Sequence, residues 1–260
     1  MSASITSLPI DEVLPALKAQ LTTCDQVVLV APPGAGKTTR VPLALLNSEW
    51  LQHQKVLLVE PRRLATLSSA HFLAQGLGQT CGNTVGYRMR LDTKIGPKTR
   101  LEVITHGVLL RMLQSDPSLE GVGAVIFDEF HERSLDSDLS LAMCLQGREL
   151  LRDDHPLKLI VMSATLDAQS VSQLLGNAPV IVSQGRQFPV STHHLGPAPN
   201  RYQLQDQLHH AVAQALANHS GSILVFLPGQ GEIRQALTRL TDLSSTHVAL
   251  LPLFGDLTID

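Results

Sequence analysis

The segment at residues 31–39, with the sequence APPGAGKTT, has the composition of a loop that binds phosphate. It follows an apolar run and precedes a helical pattern, which is the setting of a P-loop. Its glycines can adopt backbone angles closed to other residues, so the amide groups of the loop can point at an anion. A lysine here reaches the β- and γ-phosphates of a nucleoside triphosphate, and the next hydroxyl binds Mg²⁺. We therefore expect the nucleotide to be held by Pro33, Gly34, Ala35, Gly36, Lys37, Thr38 and Thr39, with Mg²⁺ on Thr38.

A pair of carboxylates, Asp128 and Glu129, ends the apolar run AVIF at residues 124–127. Carboxylates at the end of a buried strand downstream of a P-loop are typical of a Walker B motif. We expect Asp128 and Glu129 to hold Mg²⁺, and Glu129 also to orient and activate the attacking water as general base. A solvated acidic strand end is the alternative, and the upstream phosphate loop disfavours it.

The remaining metal-binding residue types are scattered. The histidine doublets at 193–194 and 209–210 lack further ligands at metal spacing, and we assign no metal to them. The three cysteines lie far apart without a CxxC pair, which argues against a disulfide framework and a zinc site and favours a reducing cytoplasm. The formal net charge of −3 gives no indication of a nucleic-acid-binding protein. A basic stripe on one face of the molecule would still be compatible with that net charge. No apolar stretch is long enough to span a membrane.

Continuous apolar runs alternate with helical patterns along the first part of the chain. Such runs are typical of strands buried on both faces of a parallel sheet, so the pattern predicts an α/β fold with helices on both sides. The predicted strands are 27–31, 55–60, 101–105, 124–128, 157–163 and 179–182, and the predicted helices are 37–46, 64–77, 108–113, 138–151 and 167–175.

A second α/β segment is predicted to begin after a linker near residue 184. It should contain helices at 203–218 and 232–243, a strand in SILVFLP at 222–228 and another strand around 248–253. We therefore expect one domain at 1–183 and the start of a second, incomplete domain at 184–260.

The histidine at position 131 completes the pattern D-E-x-H, and with Glu132 and Arg133 it resembles the DEAH-type helicases of superfamily 2. Further segments resemble this family in order: EPRRLA at 60–65 is similar to motif Ia, THGVLLR at 105–111 to motif Ib, SAT at 163–165 to motif III, and VFLPGQGEI at 225–233 to the region of motif IV. LPLFGDL at 251–257 is similar to the strand and loop that follow. Phe130, where most relatives have alanine, and a short N-terminus without a leader domain resemble the bacterial HrpB-type group.

The resemblance implies two RecA-like domains with ATP or another nucleoside triphosphate between them and a nucleic acid, RNA rather than DNA, across both. It implies that Arg62, Arg63, Thr105 and His106 face the nucleic-acid backbone, and that Ser163 and Thr165, beside His131, link the nucleotide to domain movement. Three alternatives stay open: a solvated helix start for the arginine pair, a helix cap for the Thr105 segment, and a helix cap for the SAT segment. Protein partners and oligomeric state cannot be read from the sequence.

The base of the nucleotide has a less specific candidate. Relatives often stack an arginine from the helix after motif Ia on the base, and this chain has Phe72 in the corresponding place. A phenylalanine can stack on a purine, but a core residue is the alternative that we favour slightly. Weak base selectivity is the resulting hypothesis.

Motifs V and VI of the family are expected beyond the segment similar to motif IV, so we expect weak hydrolysis and no unwinding by these 260 residues. Two other functions agree less well with the sequence. A nucleotide-gated scaffold is disfavoured by the presence of Glu129, and a transport or unfolding ATPase lacks the PRR, DExH and SAT segments in this order.

Overall fold

The structure, a computed structural model, describes residues 7–152, 155–164, 168–185, 189–196 and 203–254. The chain divides into two compact units, Met1–Phe188 and Pro189–Asp260.

The first unit is a parallel sheet with helices on both faces. In chain order it contains α1 (Leu14–Thr23), β1 (Gln26–Val30), α2 (Lys37–Leu45), β2 (Lys55–Glu60), α3 (Arg63–Gly76), β3 (Val85–Met89), β4 (Asp92–Lys94), β5 (Leu101–Thr105), α4 (His106–Ser115), β6 (Val122–Phe127), α5 (Leu135–Leu151), β7 (Lys158–Ser163), α6 (Ala168–Leu174) and β8 (Val180–Val182). The strand order is β4-β3-β5-β2-β6-β7-β1-β8. All neighbouring strands run parallel except β3 and β4, so the predicted mostly parallel α/β sheet is confirmed.

The core lies in two layers, because successive side chains of each strand point to opposite faces of the sheet. In β1, Val27 and Leu29 belong to one layer while Val28 and Val30 belong to the other. The first layer includes apolar side chains of α1, α2 and α3, and the second includes those of α4, α5 and α6. Burial of both strand faces explains why the strands are apolar throughout.

The order of the strands decides which loops meet at the carboxyl edge of the sheet. Ligands of open α/β sheets bind outside the carboxyl ends of the strands. β7 separates β1 from β6, with Val30 paired to Ser163 on one side and Phe127 paired to Val161 on the other. The loops after β1, β6 and β7 therefore lie side by side, and they carry three of the predicted motifs.

The elements that the sequence analysis missed lack continuous apolar runs. The hairpin of β3 and β4 at the sheet edge is one, since β4 is exposed throughout. The N-terminal helix α1 is another, preceded by a 3-10 turn at Pro9–Glu12.

In the second unit, the described residues form α7 (Leu204–Asn218) and α8 (Gln230–Arg239), followed by a 3-10 turn at Thr241–Leu243. The two strands predicted at 222–228 and 248–253 are wrong for the described residues, which form only an isolated bridge between Ser245 and Val248. A strand requires a hydrogen-bonded neighbour, and the described part of this unit supplies none; Phe226 and Leu251 stand exposed. Residues 255–257, the end of the segment LPLFGDL, lie outside the described ranges. Among the described helices, none combines the length and apolar character needed to cross a membrane.

Candidate nucleotide site

The phosphate loop connects β1 to α2 and depends on two left-handed glycines. Gly34 has φ of 77° and Gly36 has φ of 97°, a region that residues with a side chain rarely adopt. A Cβ atom at Gly36 would lie 2.7 Å from Cδ1 of Leu8, whereas one at Gly34 would meet no atom within 4 Å. At Gly34 the loop is open, so its backbone can come close to a ligand. At Gly36 the loop packs against Leu8.

The N-terminal segment supplies that packing. The amide of Ile10 donates a hydrogen bond of 3.1 Å to the carbonyl of Ala35, and Asp11 lies 3.7 Å from the guanidinium of Arg40 on α2. The hydroxyl of Ser183 in turn donates to the carbonyl of Pro9. The loop is therefore held from outside by residues that the sequence analysis did not assign to the site, and only the apolar character of Leu8 and Ile10 hinted at it.

The lysine of the loop is buried in it. Lys37 is 4% exposed, and its ammonium donates a hydrogen bond of 2.7 Å to the carbonyl of Ala31. A charged donor turned into its own loop can exchange that carbonyl for a phosphate oxygen, a stronger acceptor. The ammonium of Lys37 therefore lies within the loop that is expected to bind the phosphates.

The loop and the acidic motif meet directly. The hydroxyl of Thr38 donates a hydrogen bond to Oδ2 of Asp128, which follows the last residue of β6. Asp128 is 1% exposed, and its other oxygen accepts a 2.8 Å hydrogen bond from the amide of Glu129. The two residues predicted to share one metal ion are therefore neighbours.

Glu129 stands where the chain turns away from the sheet. Its backbone is left-handed, with φ of 47° and ψ of 37°, an uncommon conformation for a residue with a side chain and one that clusters at functional sites. The turn explains how adjacent carboxylates can both remain at the sheet edge although successive strand residues point to opposite faces. The side chain is 32% exposed and thus accessible to water.

A buried phenylalanine anchors this turn. Phe130, in the 3-10 turn Phe130–Glu132, is 2% exposed and packs edge to face on Phe127 with ring centroids 6.2 Å apart. The guanidinium of Arg133 lies 5.5 Å from the centroid of the Phe130 ring. The phenylalanine that distinguishes this D-E-x-H motif thus fixes the segment that carries Glu129 and His131.

A third carboxylate, that of Glu60 at the end of β2, lies in the same region and was not predicted. Glu60 is 3% exposed and accepts a 2.9 Å hydrogen bond from the hydroxyl of Ser69. Burial raises the pKa of Glu60 to about 7, and the negative charge of Asp128 adds to the rise. Burial likewise raises the pKa of Asp128 to about 6, although the hydrogen bond from Thr38 acts in the other direction.

These donors fit a magnesium ion. Mg²⁺ prefers hard oxygen ligands and is bound through one or two protein groups, with phosphates and waters completing its shell. Thr38 and Asp128 present a hydroxyl and a carboxylate in contact. Burial raises the pKa of Asp128 because it disfavours the charged carboxylate, and a bound divalent cation would offset that penalty.

The histidine of the motif joins two segments. Nδ1 of His131 accepts a 3.3 Å hydrogen bond from the amide of Ala164, directly after β7, and lies 3.4 Å from Oε2 of Glu129. His131 therefore lies between Glu129 and Ala164 of the SAT segment. Ser163 is buried at the end of β7, whereas Thr165 lies outside the described residues.

The predicted nucleic-acid contacts divide into exposed and buried residues. Arg62 and Arg63 are exposed at the start of α3, and Thr105 is half-buried at the start of α4 without a side-chain cap. His106 is 6% exposed and stacks on Phe127, so the prediction that its side chain faces a nucleic acid is wrong for this conformation. Burial lowers the pKa of His106, which favours a neutral ring in the core.

Phe72, proposed as a base contact, is 59% exposed on α3. The alternative that it is a core residue, which the sequence favoured slightly, is therefore wrong. The helical spacing of apolar residues in α3 does not separate this exposed face from the buried one.

Comparison with known proteins gives one family. A model of the DEAD/DEAH box helicase family matches residues 11–174. The chain is 49% identical over 256 residues to the ATP-dependent RNA helicase HrpB of Escherichia coli (strain K12), covering 98% of this chain and 31% of that protein. It is 34% identical to the ATP-dependent RNA helicase DHX33 of Homo sapiens over 264 residues, 96% of this chain and 37% of that protein.

A solved structure agrees with these sequence matches. The crystal structure of Escherichia coli DEAH/RHA helicase HrpB superposes with a TM-score of 0.90 at 50% identity, covering 97% of this chain and 32% of that one. The chain thus spans about a third of the length of these relatives. With its phosphate loop and D-E-x-H carboxylates in one site, the chain belongs to the DEAD/DEAH box helicase family.

Proposed function

We propose that this chain is the nucleotide-binding part of an ATP-dependent helicase that acts on nucleic acid. The observation that carries the proposal is the contact of Thr38 with Asp128, because it joins a phosphate-binding loop to a carboxylate at the edge of the same sheet. Family membership supports a nucleoside triphosphate as the ligand. We further propose residues 1–183 as the ATP-binding domain and 184–260 as the start of a second RecA-like domain.

Each residue of the site has a separate task in this proposal. The amides of residues 33–39 and the ammonium of Lys37 bind the phosphates, while Thr38 and Asp128 hold Mg²⁺ with Glu129 nearby. The bound ion would neutralise the charge that develops on the phosphates. Glu129 accepts a proton from the attacking water, and its left-handed backbone after β6 keeps its carboxylate at the sheet edge.

The proposed second ligand is a nucleic-acid strand. Arg62 and Arg63 are exposed beside the acidic motif, and guanidinium groups suit phosphate oxygens. Thr105 is a further candidate contact. We favour RNA because the relatives compared above are named RNA helicases. The three cysteines are free thiols, which supports a reducing compartment such as the cytoplasm.

A hydrolysis assay with and without single-stranded RNA and DNA tests the proposal. The chain should show turnover that rises with RNA. Glu129→Gln should lose turnover but keep nucleotide affinity, and Lys37→Ala should lose both while remaining folded. Tight nucleotide binding with no response to either nucleic acid, or unchanged turnover in the Glu129 variant, would favour a nucleotide-gated scaffold instead.

A further inference from the structure

An ion pair joins the two segments to which the proposed function assigns different ligands. Nη2 of Arg62 lies 3.0 Å from both carboxylate oxygens of Glu132. Arg62, itself a proposed nucleic-acid contact, directly precedes α3, while Glu132 ends the 3-10 turn that follows Glu129. The two residues are 70 positions apart in the sequence. Their ion pair connects the side proposed to bind nucleic acid to the turn that carries Glu129.

The geometry leaves part of the guanidinium open. Both hydrogen bonds use Nη2, and in the described ranges neither Nε nor Nη1 of Arg62 donates a hydrogen bond to another side chain. The side chain of Arg62 is 72% exposed. A guanidinium has five donors in a planar fork, so a phosphate can be bound while the carboxylate keeps its own contact.

The backbone turn that carries the carboxylate of Glu132 is held in place by two contacts. Glu132 belongs to a turn whose backbone is closed by a 2.9 Å hydrogen bond from its amide to the carbonyl of Glu129. Phe130 anchors the same turn in the core. A long side chain such as arginine loses substantial rotamer entropy when it binds a ligand, and a contact that restricts it beforehand reduces that cost.

We propose that Glu132 is a positioning residue: it orients Arg62 toward a nucleic-acid phosphate and ties that contact to the turn carrying Glu129 and His131. This inference rests on the proposed function, since it takes a nucleic-acid strand as the ligand. Through the pair, a bound phosphate would stabilise the hydrolytic turn. By thermodynamic linkage, a change in the conformation of this turn must then also change the affinity for the nucleic-acid strand.

The sign of the effect of Glu132→Gln separates positioning from simple electrostatics. Removing a negative charge near a strand of phosphates should tighten binding if Glu132 acts only through its charge. If Glu132 positions Arg62, binding should weaken instead, by about twofold to fivefold for an exposed pair. Asp138→Asn is a matched control, because Asp138 forms a comparable exposed pair, 2.9 Å long, with Arg133 of the same segment.

The experiment measures the affinity of the chain for a fluorescein-labelled single-stranded oligouridine by anisotropy, with thermal unfolding as a check that each variant is folded. Weaker binding by Glu132→Gln, unchanged or tighter binding by Asp138→Asn, and no additional loss when Glu132→Gln is added to Arg62→Gln would support the proposal. Binding by Glu132→Gln as tight as wild type or tighter overturns it. A wild-type chain that binds neither RNA nor DNA would instead refute the nucleic-acid part of the proposed function.

Discussion

The hydroxyl of Thr38 donates a hydrogen bond to the carboxylate of Asp128 although a whole strand, β7, lies between the strands that precede them. The bond crosses the carboxyl edge of the sheet, from the loop after β1 to the end of β6. The site thus depends on strand order, and no single segment of sequence contains it.

The two glycines of the phosphate loop should differ in what substitution costs. Gly34→Ala should destabilise the fold by about 1 kcal/mol, because a left-handed conformation is unfavourable for alanine. Gly36→Ala should cost a further ~1–3 kcal/mol, because its Cβ would lie 2.7 Å from Leu8. Urea unfolding measures both, and adding Leu8→Ala to Gly36→Ala should recover part of the loss. Equal destabilisation by the two glycine variants would show that Leu8 does not press on the loop.

The pH dependence of stability should report the buried carboxyl of Glu60. Its pKa in the folded chain is raised to about 7, above the ordinary value of 4.5. The protonated carboxyl therefore contributes stability that is fully present below about 4.5 and is lost as pH rises through about 7.

The comparison of wild type with Glu60→Gln isolates this contribution, since glutamine is neutral at every pH and keeps an acceptor for Ser69. Without Mg²⁺ or nucleotide, the free energy of unfolding of wild type relative to the variant should fall by about 1 kcal/mol between pH 6 and pH 8. Denaturant unfolding at the two pH values measures it. Parallel pH profiles for the two proteins would mean that Glu60 is ionised throughout.

Phe130 should matter for both stability and catalysis. Phe130→Ala removes a ring that is 2% exposed and should destabilise the fold by ~3–5 kcal/mol. Phe130→Leu keeps most of the volume, so it should remain folded while allowing the turn with Glu129 to move. We expect lower turnover with nearly unchanged nucleotide affinity for the leucine variant. Turnover equal to wild type would indicate that the turn does not need this anchor.

The exposed ring of Phe72 should contact the base of the nucleotide. Phe72→Ala should weaken the binding of ATP and GTP alike by about fivefold, because stacking on an aromatic ring is tolerant of base identity. Leu64→Ala, at another exposed apolar position of α3, is the control and should bind nucleotide as wild type does. Similar hydrolysis rates for ATP, GTP, CTP and UTP are expected. Strict use of ATP, or unchanged affinity in the Phe72 variant, would reject the contact.

Local sequence patterns were sufficient to predict most of the helices and strands of the first unit. The glycines of the phosphate loop, the apolar strands and the carboxylates after β6 have compositions dictated by burial or by a ligand, so their elements could be predicted to within a few residues. The resemblance to the helicase family then related His131 to the SAT segment. These features are readable because each depends on a short stretch of chain.

Features that depend on contacts between segments far apart in the sequence could not be predicted. Nothing local distinguishes Glu60 from a solvated glutamate, because its burial follows from its place beside β6. The packing of Leu8 over Gly36 and the burial of His106 against Phe127 likewise arise from tertiary structure. The strands predicted in the second unit failed for the opposite reason, since apolar runs such as SILVFLP indicate a strand only where a neighbour can pair with it.

The most direct test of the shared metal and nucleotide site is the affinity for a fluorescent ATP analogue with Mg²⁺ and with EDTA. Wild type should bind at least tenfold more tightly with Mg²⁺, because Thr38 and Asp128 together hold the ion that the phosphates also bind. Thr38→Val and Asp128→Asn should each lose most of that difference while retaining the weaker metal-free binding. Nucleotide affinity that is equally dependent on Mg²⁺ in wild type and in both variants would contradict the account.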